Sequence, residues 1–120
     1  MAGDWREATG RRVGSELLRH SDKPTAIFAN DLSAVGVLAA ADELGLRVPD
    51  DVSVVGYDNT VFARLLRLSL SSIDSHIAEV GQVAGRTLTA RINGDRGTTA
   101  TRLLSPALIT RSSTGPPPEQ

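Results

Sequence analysis

The sequence contains no cysteine and few aromatic residues. Its 120 residues include no Cys, and Phe, Trp and Tyr together make up 3%. The absence of cysteine excludes disulfide frameworks, thiolate zinc sites, iron–sulfur clusters and cysteine nucleophiles. A chain of this length is a domain of ordinary size that buries about two-thirds of its unfolded surface, so it needs no covalent or metal cross-link. Hydrophobic residues make up 40% of the chain, which is enough for a folded core.

A strong charge of one sign and a long apolar run are also missing. The 13 Lys and Arg residues balance 14 Asp and Glu residues, for a formal net charge of −1. This balance offers no general basic face for nucleic acid. The opening residues, MAGDWREATG, lack the apolar core of a signal peptide, and no stretch approaches the length of a membrane span. We therefore expect a cytoplasmic protein without a membrane partner.

The common catalytic and phosphate-binding motifs are absent, among them GxGxxG, the P-loop, GxSxG and HExxH. Ser72, Asp74 and His76 alternate along a predicted strand and so share a face, but no oxyanion hole accompanies them. His20 and His76 have no carboxylate or cysteine companions at metal-ligand spacing. The sequence therefore predicts no catalytic residues, no cofactor and no metal site.

Helical and strand patterns alternate along the chain. Between residues 10 and 18, small and apolar residues recur at the spacing of a helix with one buried face. The runs TAIFA (25–29) and VSVVGY (52–57) lack polar alternation, which is typical of parallel strands with both faces covered by helices. The alternation predicts an α/β fold with right-handed crossovers. The predicted helices span 10–18, 31–44, 61–67 and 77–92, and the predicted strands span 25–29, 52–57, 70–74, 98–104 and 107–111.

Polar side chains follow three of the predicted strands. Asn30, Asp58 and Ser75 each come directly after a strand. In parallel α/β sheets, ligands bind beyond the carboxyl ends of the strands, so these three side chains are expected to converge on one site. The alternative for Asn30 and Asp58 is that they only cap the helices that follow.

The single tryptophan, Trp5, lies in a polar stretch before the first helix. Its ring either anchors the end of the chain to the fold or provides a stacking surface for a sugar ring or a flat base. Composition alone does not favour one of these interpretations over the other.

Residues 24–59 read PTAIFANDLSAVGVLAAADELGLRVPDDVSVVGYDN, and this stretch resembles the effector-binding domain of the lactose-repressor (LacI/GalR) family of transcriptional regulators. GDW at 3–5, LSSIDSHIAEVGQVAGRTL from Leu70 and LLSPALITRSST from Leu103 follow in the order that the family uses. The resemblance implies a fragment of a two-lobe fold like that of periplasmic sugar-binding proteins, with a parallel-sheet, Rossmann-like lobe. It also implies ligand contacts at Trp5, Asn30, Asp58 and near Ser75.

The sequence departs from this family in three respects. The helix-turn-helix and about the first half of the effector domain are missing, so we expect Met1 to start in the middle of a domain. Ser75 stands where the family often has Gln, a longer side chain. We interpret residues 1–114 as the C-terminal portion of an effector-binding and dimerisation domain. Within it, 76–104 are expected to belong to the other lobe, and 115–120 to form a disordered tail.

Two segments carry more apolar surface than a monomer's exterior accommodates. The predicted helix at 31–44 is apolar almost all round and must be covered on two sides, and the stretch 61–68 adds further apolar side chains. In the family that this sequence resembles, the same two segments form the dimer contact. The predicted dimer interface comprises Leu32, Val35, Leu38, Ala39, Val61, Phe62, Leu65 and Leu66.

These observations predict the effector-binding and dimerisation part of a bacterial transcriptional repressor. The effector is expected to be a small sugar or a purine-like molecule, and operator DNA to be bound only through a helix-turn-helix outside this chain. The alternative with the same fold is the sugar-binding protein of a transport system. A small α/β enzyme is the alternative of a different class, and only Ser72, Asp74 and His76 support it.

Overall fold

The computed structural model describes residues 4–97 and 101–117. Helices and strands alternate over most of this length because each short apolar run is followed by a helix with an apolar face. The elements, in chain order, are α1 (Glu7–Leu18), β1 (Ala26–Phe28), α2 (Asp31–Glu43), β2 (Ser53–Tyr57), α3 (Val61–Arg64), β3 (Ser71–Asp74), α4 (Ile77–Ile92) and β4 (Ala107–Ile109).

The four strands form one sheet in the order β1-β2-β3-β4. The first three are parallel, with Ile27 opposite Val54 and Val55 opposite Ser71, whereas β4 runs antiparallel to β3. This arrangement confirms the predicted α/β class with a mostly parallel sheet.

Two predicted elements differ from the structure. The predicted strand at 98–104 is wrong over residues 101–104, which have no regular secondary structure, while 98–100 lie outside the described residues. Leu103 and Leu104 lie beside Val80 and Ala84 of α4, where no strand is available for pairing. The predicted helix at 61–67 ends at Arg64 because Leu65 adopts extended backbone angles.

The core lies between α2 and the face of the sheet that α2 covers. Ala34 and Val37 of α2 pack with Val54 of β2, and Ala63 and Leu70 complete this cluster. A smaller cluster combines Leu18, Ala41 and Val52.

At β1 the opposite face of the sheet is open in the described part of the chain, so the expectation that helices cover both faces is wrong for this strand. Phe28 is 61% exposed on this face, and Tyr57 contacts its ring edge-on at 6.3 Å. Helix α2 packs against α1, β1 and β2, and Leu18 of α1 joins the smaller cluster against which Ile27 of β1 packs. The apolar run of β1 therefore has no helix of the described residues on its second face.

Glycines bring α1 and α2 into close contact. A Cβ atom at Gly10 would collide with the carbonyl oxygen of Ser33, and a Cβ at Gly36 would collide with that of Glu7. An ion pair between Arg11 and Glu43 also joins the two helices. Helix α1 of the same chain thus covers the second side of α2.

Helix α4 extends away from the rest of the molecule. None of its residues is buried, and Ile77, Leu88 and Ile92 are all more than 60% exposed. The Cα radius of gyration is 18.2 Å, compared with about 14 Å for a compact domain of this length. None of the helices in ranges 4–97 and 101–117 has the length and apolar character needed to cross a membrane.

The C-terminal segment returns to the sheet after α4. Ser113 is buried, and its hydroxyl donates to the carbonyl of Val54 at 2.6 Å. The amide of Gly115 donates to the hydroxyl of Ser53 at 3.1 Å. Residues 115–117 of the predicted disordered tail lack regular secondary structure, and 118–120 lie outside the described residues.

Candidate functional site

The carboxyl ends of β1, β2 and β3 lie at one edge of the sheet because these strands are parallel neighbours. Asn30 follows β1 after one residue, Asp58 directly follows β2, and Ser75 directly follows β3. All three predicted ligand-binding residues of the strand ends therefore lie along this edge.

Asn30 caps α2 and also borders a concave surface. Its side-chain oxygen accepts a hydrogen bond from the Ser33 amide at 2.9 Å, so the predicted capping role is confirmed. Asn30 and Trp5 line the same concavity of about 240 Å³, together with Ala29 and Ser33. Trp5 is 74% exposed, which leaves its ring surface free of the packing that anchoring the chain end would require.

Asp58 does not cap the helix that follows it. The N-cap position of α3 belongs to Thr60. Asp58 and Asn59 have backbone φ angles of 100° and 47°, which non-glycine residues rarely adopt. Such strained residues persist only where the surroundings hold them, and they concentrate at functional sites. The carboxylate of Asp58 makes no hydrogen bond to another described residue and lines a cleft of about 260 Å³.

Asn59 is a structural residue that the sequence reasoning missed. It is only 7% exposed. Its side-chain oxygen accepts from Arg111 at 2.7 Å, and its amide group donates to Asp74 at 3.1 Å. Arg64 donates to its backbone carbonyl at 3.2 Å. With these polar groups occupied, Asn59 ties the loop after β2 to β3 and to the C-terminal segment. In the sequence, only its position beside Asp58 could have indicated a role for Asn59, because its partner Arg111 lies 52 residues away.

Asp74 and His76 line the same cleft as Asp58. The backbone N–H of His76 and the side-chain amide of Asn59 both donate to Asp74, and these bonds hold the pKa of the Asp74 carboxyl below its ordinary value. The ring Nδ1 of His76 lies 4.0 Å from the Asp74 carboxylate.

Ser72, Asp74 and His76 do not form a nucleophilic triad. The Ser72 hydroxyl is fully buried and donates to the carboxylate of Asp31 at 2.6 Å, and it accepts from the backbone amide of Asn59 at 3.0 Å. It is therefore not in contact with His76 as a general base, which a triad requires. In the described part of the chain, no three His, Asp or Glu side chains are arranged to hold a metal ion.

Ser75 lies apart from the other predicted ligand-binding residues. It is half-buried and lines a separate groove of about 340 Å³ with Val80 and Ala84 of α4 and Leu103 and Leu104 of the returning segment. The structure thus brings Trp5 together with Asn30 and places Asp58 in a separate cleft. It does not bring Ser75 into either.

The residues of the predicted dimer interface differ in exposure. On α2, Leu32 is exposed, whereas Val35, Leu38 and Ala39 are half-buried, and Leu38 packs partly against the core. The residues after β2 are more exposed, and Leu66 reaches 93%. This surface patch at 61–66 consists of Val61, Phe62, Leu65 and Leu66, and each is at least 43% exposed.

Comparison with known proteins identifies relatives of this fold. Residues 1–114 match the periplasmic binding protein-like domain family. The HTH-type transcriptional repressor PurR of Escherichia coli O1:K1 is 40% identical over 114 residues, which are 94% of this chain and 33% of that protein.

Two solved structures resemble the chain over most of its length. A LacI-family transcriptional regulatory protein from Corynebacterium glutamicum is 37% identical, with a TM-score of 0.88, and the match covers 97% of this chain and 45% of that one. A LacI family transcriptional regulator from Enterococcus faecium with bound ribose is 29% identical, with a TM-score of 0.84, covering 92% of this chain and 41% of that one.

The chain spans about a third of the length of the curated relatives that it matches. These relatives are transcriptional repressors. The family match covers nearly the whole chain, and the fold agrees with that of the LacI-family regulatory protein from Corynebacterium glutamicum. The chain therefore belongs to the periplasmic binding protein-like domain family, among the LacI-type transcriptional regulators, and corresponds to the C-terminal portion of their effector domain.

Proposed function

We propose that this chain forms the ligand-binding and dimerisation part of a bacterial DNA-binding repressor. The observation that carries the proposal is the Asp58 carboxylate, which lies at the end of β2 on a strained loop and makes no hydrogen bond to another described residue. A ligand with hydrogen-bond donors binds to an acceptor that no protein group occupies. The Asp58 carboxylate is such an acceptor, and it lies on a strained loop at the carboxyl ends of parallel strands, where ligands bind.

The proposed effector is a small sugar or a purine-like molecule. Asp58 accepts hydrogen bonds from hydroxyl or ring N–H groups, and the side-chain amide of Asn30 donates to the same class of ligand. Trp5, with its exposed ring, stacks on an apolar ring face. The ribose bound to the regulator from Enterococcus faecium favours a sugar, whereas the PurR relatives favour testing a purine beside it. Ser75 contributes to the site only if the groove beside α4 joins it in the ligand-bound state.

The effector is proposed to act by shifting an equilibrium between two arrangements of the lobes. Residues 76–104 belong to the second lobe in this proposal, which explains why Ile77, Leu88 and Ile92 of α4 are largely exposed in the described part of the chain. A ligand shifts such an equilibrium only by binding one arrangement more tightly. Operator DNA is contacted through a helix-turn-helix outside these 120 residues, in the cytoplasm, and no bond is made or broken.

The proposed homodimer forms through the half-exposed strip of α2 and the surface patch at 61–66. The patch is apolar and highly exposed, and contiguous apolar surface of this kind marks interaction sites.

The test is a calorimetric titration of the full-length gene product with D-ribose and, separately, with hypoxanthine. Asp58→Gly is the informative variant, because it removes the side chain with its carboxylate and glycine adopts a φ of 100° without strain. We expect an affinity about tenfold to a hundredfold lower and an unchanged melting temperature. The control is Asp42→Asn, at an exposed position of α2. Asparagine is used there because glycine would itself weaken the helix.

The second candidate with this fold is the sugar-binding protein of a transport system. A gel shift of the full-length gene product on its own upstream DNA separates the two functions. Ligand-sensitive DNA binding supports the repressor, whereas sugar binding without any DNA binding supports the transport protein. Binding of the ligand to Asp58→Gly with wild-type affinity contradicts both proposals.

A further inference from the structure

Asp31 is a buried carboxylate to which neither the capping of α2 nor the ligand site assigns a role. It is 1% exposed. One carboxylate oxygen accepts from the backbone amide and the hydroxyl of Thr60, at 2.6 and 2.7 Å, and the other accepts from the hydroxyl of Ser72 at 2.6 Å. A carboxylate accepts without donating, and hydrogen bonds to a charged acceptor are stronger than neutral ones. Asp31 thus joins the start of α2 to the loop after β2 and to β3.

These bonds complete the support of the loop that carries Asp58. Three successive backbone amides of this loop donate to fixed acceptors: Asp58 to the carbonyl of Ile73 at 2.9 Å, Asn59 to the hydroxyl of Ser72 at 3.0 Å, and Thr60 to Asp31 at 2.6 Å. The acceptor of the second amide is itself bonded to Asp31. Two of the three amides that hold the strained backbone at residues 58 and 59 therefore depend on Asp31.

Gly56 provides independent support for this arrangement. Its backbone is not in the left-handed region, so conformational freedom does not explain a glycine there. A Cβ atom at this position would collide with a carboxylate oxygen of Asp31 and lie 2.9 Å from a methyl carbon of Leu70. Because Gly56 has no side chain, β2 leaves room for the Asp31 carboxylate.

We propose that Asp31 is a positioning residue of the ligand site, which holds Asp58 toward the ligand without touching the ligand itself. The carboxylate orients Thr60 and Ser72, these residues fix loop 58–60, and the loop fixes the direction of the Asp58 side chain. The inference rests on the proposed function, because it assigns Asp58 to the same site.

The test compares Asp31→Asn with Thr60→Val in the full-length gene product, with Asp42→Asn as the matched control on the same helix. Asparagine keeps the shape of Asp31 but turns an N–H toward one of its donors, and valine removes only the hydroxyl of Thr60. Amide hydrogen exchange at residues 58–60 is measured together with D-ribose affinity and the melting temperature. We expect exchange at this loop to rise, and ribose affinity to fall, about tenfold in Asp31→Asn and less in Thr60→Val.

Unchanged exchange and affinity in a folded Asp31→Asn protein overturn the proposal. A uniform rise in exchange over the whole chain also overturns it, because that result shows a purely structural role. If Asp31→Asn does not fold, Thr60→Val decides: unchanged exchange at 58–60 contradicts the proposal, and a local rise supports it. A wild-type protein that does not bind ribose refutes the proposed ligand, whereas the exchange at loop 58–60 still decides the role of Asp31.

Discussion

At the residue scale, hydrogen-bond partners separate side chains that look alike in the sequence. Asn30 and Asn59 both follow a strand, yet Asn30 caps a helix at a half-exposed position and Asn59 is buried between Arg111 and Asp74. Asp58 lines the cleft without a protein partner, whereas Asp31 accepts three hydrogen bonds. The candidate ligand-binding groups are those that the fold leaves unpaired.

We expect Asp74→Asn to be less stable than the wild type at about pH 7, with a difference that closes as the pH falls. The backbone N–H of His76 and the side chain of Asn59 hold the pKa of Asp74 below its ordinary value in the folded state. Such a carboxyl contributes stability above its unfolded-state pKa and loses that contribution as the pH falls through the folded-state pKa. Asparagine places an N–H against one of these two donors at any pH.

Urea unfolding of both proteins between about pH 2 and pH 7 measures this difference. Asp42→Asn, an exposed change, is expected to show no comparable dependence. A stability difference that persists unchanged at the lowest pH would mean that the charge of Asp74 does not contribute.

At the element scale, the contact between α1 and α2 depends on glycine as much as on apolar area. The sequence pattern at 10–18 predicted the buried face of α1, and Gly10, Gly14 and Leu18 are buried, whereas Leu17 is 43% exposed. The pattern did not predict that Gly36 of α2 faces the backbone of α1 at Glu7. A periodic pattern indicates which face is buried, but it does not indicate how closely the opposing backbone approaches.

We expect Gly36→Ala to lower the free energy of unfolding by about 1–3 kcal/mol, because a methyl group must displace the backbone of α1. The control is Gly81→Ala on α4, where a Cβ meets no atom within 4 Å. Alanine is the better helix former by about 1 kcal/mol, so the control is expected to stabilise α4. Thermal unfolding followed by circular dichroism measures both changes, and equal effects of the two substitutions would contradict the role of the close contact.

At the scale of the whole molecule, apolar surface remains exposed in two places. One is the stripe of α4 formed by Ile77, Val80, Leu88 and Ile92, and the other is the surface patch at 61–66. Each large apolar side chain left in water forgoes about 1.5–3 kcal/mol relative to its burial. Several such residues amount to a large part of the stability of a small domain.

We therefore predict that the 120-residue chain alone forms a homodimer or a larger assembly that buries both surfaces. Sedimentation at micromolar concentration measures the assembly state. Leu66→Lys in the patch and Leu88→Lys in the stripe should each shift the equilibrium toward monomer. Gln82→Lys, an exposed polar position on α4, should leave it unchanged. A monomer that unfolds in one cooperative transition contradicts this prediction.

The sequence by itself determined the order of helices and strands, the α/β class and the placement of polar residues after strands, because hydrophobic period and turn chemistry are local properties. Only the tertiary structure decided that β4 pairs antiparallel with β3, that one face of β1 is open, and that Ser75 faces the groove beside α4. The same holds for the support of Asp58, since Asp31 lies 29 residues from Thr60 and 41 from Ser72. Contacts over such separations depend on which strands and helices become neighbours in the fold, and local patterns do not specify that.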